Sequence, residues 1–303
     1  MNSYPRQRTI SKPTSCTGVG VHSGNPVRLT VKPAPVNHGI TFTRTDLPDK
    51  PEVRAHFNKV VDTSLATVIG DNGFIVSTIE HIMATFSAFC IDNVRVEVDA
   101  YELPIMDGSA GPFVSMINKA DIVEQDAPRY FFIVKEPIEL IEGNRSVVIY
   151  PSNDYKITCR IDFDHPLIGE QSYTIQVSKT SFENKIAKAR TFGFLHEVEY
   201  LKRYGLTRGG SLANAVVVDG QNVLNPEGLR YPDEFVRHKI LDCIGDFSLL
   251  GMPLLGHVVT NRSGHFFNHA FLEKFFEQKQ SWTTVCLSDC DQSLVSNTKS
   301  LAI

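Results

Sequence analysis

The sequence predicts an α+β fold of two domains with a similar layout. Short alternating apolar runs are separated by tight-turn signals, which is hairpin patterning rather than strict βαβ alternation. Such patterning argues for mixed or antiparallel sheets with helices on one face. Each half of the chain runs strands, helix, strand, helix. Between the halves lies Glu124-Gln-Asp-Ala-Pro128, a polar stretch that reads as a linker, after which the pattern restarts. The domains are drawn at 1–126 and 129–303.

In the first half, residues 27–31 and 39–44 alternate apolar and polar positions and read as strands. Residues 63–69 and 74–76 flank Gly70-Asp-Asn-Gly73, a hairpin-turn signal. A helix is expected over 78–90, a clean alternating strand over 93–99, and a short helix over 113–120. In the second half strands are expected at 131–140, 146–150, 156–163, 215–219, 254–260 and 283–287. Helices are expected at 181–189, 233–250 and 266–278.

Composition limits the function classes. The 303 residues allow one large or two ordinary domains with a substantial core. Apolar content of 42% and charged content of 21% are ordinary for a globular protein. A net charge of −4 offers no basic excess, which argues against nucleic acid or an anionic membrane as partner. The six cysteines form no Cys-x-x-Cys pair, so a reduced, cytoplasmic protein is expected rather than a disulfide scaffold. Met1-Asn-Ser-Tyr-Pro-Arg-Gln-Arg8 has no apolar signal region, and the most apolar run, 247–259, is too short to span a bilayer and contains Pro253 and His257.

The most informative segment is Asp233-Glu-Phe-Val-Arg-His-Lys-Ile-Leu-Asp-Cys-Ile-Gly-Asp246. Val236, Ile240, Ile244 and Phe247 recur at helical spacing and should face a core. His238, Asp242 and Asp246 lie four apart, in one row on roughly the opposite side. A solvated polar face accounts for that row; so does a divalent metal held between His238 and Asp242.

Two other segments supply complementary groups. Ser77-Thr-Ile-Glu-His81 opens a helix, and Ser77 with Glu80 has capping-box spacing, which explains Glu80 without catalysis but leaves His81 unexplained. Ser263-Gly-His265 places His265 at the start of the last helix. There the helix dipole lowers its pKa, so a carboxylate such as Asp246 is needed to keep it protonated; a surface-loop histidine is the plain alternative. In Arg190-Thr-Phe-Gly-Phe194 the two phenylalanines read as core aromatics or as an apolar wall, with Thr191 as a hydrogen-bond donor. Met106-Asp-Gly-Ser-Ala-Gly-Pro112 lacks the Gly-Lys-Ser/Thr ending of a phosphate loop and reads as turn and helix-start chemistry.

Taken together, His81, His238 and Asp242 make a two-histidine, one-carboxylate zinc site with an open position for water. Glu80 beside one ligand can accept that water's proton, Lys239 beside another can stabilise an oxyanion, and His265 can protonate a leaving amine. These are the parts of metal-assisted amide hydrolysis.

At these residues the chain resembles the UDP-3-O-acyl-N-acetylglucosamine deacetylases, zinc enzymes of lipid A biosynthesis in Gram-negative bacteria. The resemblance runs in order through Thr17-Gly-Val-Gly-Val-His-Ser-Gly24, Thr78-Ile-Glu-His81, Ile91-Asp-Asn93, Pro104-Ile-Met-Asp-Gly-Ser-Ala110, Ile161-Asp-Phe-Asp-His-Pro166, Ala189-Arg-Thr-Phe-Gly-Phe194, Val223-Leu-Asn225, Phe235-Val-Arg-His-Lys-Ile-Leu-Asp242 and Ser263-Gly-His265. It implies two sheet-plus-helix domains with the helices sandwiched between the sheets, a small insert in each domain, and an active site between them. It implies zinc on His81, His238 and Asp242, with iron(II) as the alternative ion in vivo. Glu80 is then the general base, His265 the general acid or electrostatic partner oriented by Asp246, and Lys239 and Thr191 the groups that bind the carbonyl oxygen.

The substrate implied is an acylated UDP-glucosamine bearing an N-acetyl group, whose deacetylation is the committed step of lipid A biosynthesis. Its acyl chain is expected in a passage built by the insert at about 191–220, walled by Phe192, Phe194, Val198, Ala215 and Val217. Phe163 is expected against the uridine end and Arg262 near the diphosphate, where a guanidinium is a bidentate donor. A monomer is expected. Two stretches depart from the family: Ala88-Phe-Cys90, commonly Gly-Leu-Gly, and Phe266-Phe-Asn-His269, usually Ala-Leu-Asn-Asn, which leaves His269 without a role. A deacetylase for another nucleotide sugar, or a binding protein with structural zinc, are the rival readings.

Overall fold

The computed structural model describes residues 4–286. It is an α+β structure with several sheets and, among the described residues, six α-helices: α1 (Glu80–Ala88), α2 (Gly111–Ala120), α3 (Lys179–Lys185), α4 (Leu195–Arg203), α5 (Glu234–Phe247) and α6 (His265–Glu277). In the first half a five-stranded mixed sheet has the order Thr14–Val19, Pro26–Pro33, Val94–Val98, Ile40–Arg44, Glu52–Arg54. Its strands alternate as the sequence predicts: in Val94–Val98 every second side chain is buried, because a pleated strand sends successive side chains to opposite faces.

A second mixed sheet of seven strands is built on Leu254–Asn261. That strand runs parallel to Tyr155–Asp162 and Tyr130–Val134 and antiparallel to Arg145–Tyr150. The strand Glu170–Gln176, which carries mostly polar residues, extends this sheet on Tyr155–Asp162 and was not expected from the sequence.

The turn between Val68–Asp71 and Phe74–Val76 is tighter than the four-residue signal suggests. Asp71 pairs with Phe74, leaving Asn72 (φ 46) and Gly73 (φ 87) as a two-residue turn with positive φ at both positions, the conformation Asn-Gly favours.

The stretch expected to be a linker is a strand. Ile122–Pro128 pairs antiparallel with Arg6–Ile10, closing the first half on itself, and Ala127 is buried. Its polar residues and terminal proline suit a two-stranded edge pairing. α4 was also unexpected: none of its residues is fully buried, and its apolar stripe of Leu195, Val198 and Leu201 is only half-buried. The described cysteines have free thiols; Cys290 lies outside the described residues.

The buried apolar residues form one main cluster running from Ile10 to Phe275. At its centre α1 packs on α5, and α5 packs on Tyr155–Asp162, Glu170–Gln176 and α6. The α1–α5 contact is close because of Gly245: a Cβ there would stand 2.1 Å from the Glu80 carbonyl oxygen. α5 is buried almost all round, so the row His238, Asp242, Asp246 is not a solvated face; their relative exposures are 2%, 4% and 2%. A buried row of ionisable groups must be paired or must hold an ion.

Candidate active site

α1 and α5 bring the separated segments together. His81 stands in the first turn of α1, His238 and Asp242 one turn apart on α5, and each offers a ligand atom within 4.8 Å of the others. Nε2 of His238 lies 3.3 Å from Oδ1 of Asp242, and Nε2 of His81 lies 3.9 Å from the same oxygen. Nδ1 of His238 is 3.0 Å from the Ala189 carbonyl oxygen, which leaves Nε2 as the free coordinating atom. Oδ1 of Asp242 is buried and has no hydrogen-bond partner, a costly arrangement unless a cation completes it. The donor set therefore fits a divalent metal that takes nitrogen and oxygen ligands.

The protonation states agree with that fit. Burial, aided by His238, pushes the imidazole of His81 down to about 3, so it is neutral and able to coordinate. Burial likewise lowers His238. Burial works against the charge of Asp242, but the surrounding histidines and Lys239 outweigh it and hold the carboxyl well below the usual range. Nζ of Lys239 lies 3.0 Å from Oδ2 of Asp242, so it is an ion-pair partner rather than a free group on a helix rim.

Glu80 is not part of a capping box. Ile79 is the cap residue of α1 and makes no side-chain cap bond, while Thr78 takes φ 63, so Ser77 is turned away from the helix start. The Glu80 carboxylate instead accepts the Thr67 N–H at 3.1 Å. Burial, with Asp242 and Asp246 nearby, raises it to about 7. His265 begins α6, and its Nδ1 lies 2.9 Å from Oδ2 of Asp246. Burial opposes its charge, but Asp246 above all, with Asp242 and Glu80, raises it to about 10. Asp246 is held in turn by the Thr67 hydroxyl at 2.5 Å and the Asn268 amide at 2.8 Å. The site thus contains one carboxyl that titrates near neutrality and one imidazole that keeps its proton.

These groups line a cavity of about 780 Å³. Glu80, His81, His238, Lys239, Asp242 and His265 share its lining with Thr191, Phe192, Val198, Ala215 and Val217 from the 191–217 segment, and with Phe163 and Arg262. Phe194 is not among the lining residues; its ring packs against Phe163 (6.2 Å) and His165 (5.1 Å). Arg262 is paired with Asp162.

The sequence reading missed Thr67, whose backbone and hydroxyl touch Glu80 and Asp246, and Leu201 and Leu212, which extend the apolar wall. No local pattern marks a lone threonine in a loop, whereas Leu201 lay on an unrecognised helix. His269 gains a place: its Nε2 lies 3.0 Å from the Phe57 carbonyl oxygen, tying α6 to the first half.

Comparison with known proteins places the chain in a family. The family model described as UDP-3-O-acyl N-acetylglycosamine deacetylase matches residues 7–277. A UDP-3-O-acyl-N-acetylglucosamine deacetylase of Myxococcus xanthus is 48% identical over 284 residues, covering 94% of this chain and 90% of the relative. That of Syntrophus aciditrophicus is 45% identical over 293 residues (97% and 93%), and that of Teredinibacter turnerae 45% over 298 residues (98% and 98%). With a match of this length the chain belongs to the UDP-3-O-acyl-N-acetylglucosamine deacetylase family.

Proposed function

We propose that this protein hydrolyses the N-acetyl amide of a UDP-3-O-acyl-N-acetylglucosamine, releasing acetate and a free amine, as a zinc-dependent step of lipid A biosynthesis. The observation that carries the reading is the buried triad of His81, His238 and Asp242, which lines a partly apolar cavity together with Glu80 and His265.

His81, His238 and Asp242 would hold the ion. Zinc bound there would supply Lewis-acid polarisation and would lower the pKa of the attacking water. Glu80 takes a proton from the attacking water as the water oxygen bonds to the acetyl carbon. A carboxyl raised to about 7 suits that task, because a substantial fraction is ionised and ready to accept at neutral pH. Lys239 and Thr191 face the carbonyl oxygen and offset its growing negative charge. As the carbon–nitrogen bond breaks, His265 gives its proton to the departing sugar nitrogen, and Asp246 holds the ring in place for that transfer.

The apolar part of the cavity, with Phe192, Val198, Ala215 and Val217, takes the acyl chain. Phe163 and Arg262 face the nucleotide end. The two halves act as two domains whose helices lie between the two large sheets, and the chain works as a cytoplasmic monomer. No helix among the described residues is long and apolar enough to cross a membrane.

Zinc content and acetate release measured on the same preparations test the reading. His81→Ala and His238→Ala should lose zinc, whereas Glu80→Ala should keep zinc and lose about 10²–10⁴-fold in turnover. Full turnover in the Glu80 variant removes it from the base role. Finding iron(II) in freshly purified active protein replaces zinc in the scheme but leaves the residue roles standing.

A further inference from the structure

Resting on the reading that His81, His238 and Asp242 hold a zinc ion, we infer that Arg190 and Glu234 form a positioning pair that fixes the tautomer and aim of His238. The peptide group joining Ala189 to Arg190 carries the argument. Its carbonyl oxygen lies 3.0 Å from Nδ1 of His238, and its N–H donates to Oε1 of Glu234 at 2.9 Å. Glu234 and His238 are one turn apart on α5, so a single turn of helix grips both polar ends of one peptide plane.

The Arg190 side chain grips the same carboxylate, Nε to Oε1 at 2.9 Å and Nη2 to Oε2 at 3.2 Å. Its other contacts are Nη1 to Glu227 at 2.5 Å and Nη2 to the Gly228 carbonyl at 2.6 Å. Arg190 is 1% exposed and Glu234 fully buried.

A buried ion pair is weak support for stability, because desolvation offsets most of its attraction. It does suit a segment that must hold a carbonyl in place without a sheet or helix to do so. Between α3 and the strand Phe192–Phe194 the backbone is turn and irregular chain. With the Ala189 carbonyl fixed, Nδ1 of His238 carries the ring proton and Nε2 keeps its lone pair toward Asp242 and the ion position. The next residue is Thr191, whose N–H donates to the Gly108 carbonyl at 2.8 Å, so the same clamp sets where Thr191 enters the cavity.

The test uses the full-length protein, wild type, Glu234→Gln and Arg190→Lys. Zinc affinity is measured by competition with a chromophoric chelator. The tautomer of His238 is read by ¹⁵N NMR after zinc removal, and thermal unfolding is followed in parallel. Wild type should bind one zinc and carry the His238 proton on Nδ1. Each variant should lose about 10–100-fold in zinc affinity and show mixed tautomers.

Variants with lowered melting temperature but wild-type zinc affinity and tautomer overturn the inference and leave a structural ion pair. If the variants do not fold, the wild-type protein decides. A proton on Nδ1 together with slow exchange of the Arg190 amide supports the inference; a proton on Nε2, or a freely exchanging Arg190 amide, overturns it. Failure of wild type to bind zinc would instead overturn the metal reading on which the inference rests.

Discussion

Replacing Gly245 by alanine perturbs the helix contact that brings the two halves of the site together. The added Cβ would meet the Glu80 carbonyl oxygen at 2.1 Å, its carbonyl carbon at 2.8 Å and its Cα at 2.9 Å. All three are backbone atoms of α1, so no side chain can swing aside; the helices must part by about 1 Å. Overpacking of this kind costs about 3 kcal/mol, and alanine's better helix propensity returns about 1 kcal/mol, a net loss of about 2 kcal/mol. In a chain of 303 residues that is a fall of roughly 3 °C in melting temperature.

The catalytic effect of Gly245→Ala should be larger. Glu80 and His81 ride on α1 while His238 and Asp242 ride on α5, so the same shift of about 1 Å lands inside the buried group of His81, His238 and Asp242. Misplacement on that scale is worth about 100-fold in rate. Differential scanning calorimetry and acetate release on the same preparation measure both effects. An alanine variant with wild-type melting and wild-type turnover refutes the claim that this contact sets the geometry.

Asp246→Asn should shift the alkaline limb of the pH–rate profile. With Asp246 present His265 titrates at about 10, so its proton is available below that pH and is lost as pH rises through it. Without that charge its pKa falls toward the ordinary 6.5, which at pH 8 leaves on the order of 30-fold less protonated imidazole. A profile that keeps its alkaline limb near 10 removes Asp246 from that role. The acidic limb, which tracks Glu80 near 7, should stay in place in this variant to within about one pH unit. Ala215→Phe narrows the cavity's apolar arm and should raise KM for long-acyl substrates about 10-fold or more, with kcat little changed; an unchanged KM means the chain binds elsewhere.

What could be read in the sequence was what repeats locally. The apolar spacing of Val236, Ile240 and Ile244 predicts α5, and the four-residue spacing of His238, Asp242 and Asp246 puts them on one face. Nothing local says what that face meets. It meets α1, so a row that also reads as solvated is buried, and only Gly245, an unremarked glycine in a helix, hints at the close approach. The stretch 124–128 reads as a linker because the strand it belongs to pairs with Arg6–Ile10, more than a hundred residues away. The spacing of Ser77 and Glu80 satisfies a capping rule that the backbone overrides at Thr78. Thr67 is invisible for the same reason: its partners Glu80 and Asp246 come from two different helices.

The pairing of Arg6–Ile10 with Ile122–Pro128 has a consequence for biosynthesis. The first half can pair its own two terminal strands before the second half is made, and of the buried trio His81, His238 and Asp242 it then holds only His81. His238 and Asp242 join it only once α5 has been synthesised and docked, so the assembled trio is a late product of folding.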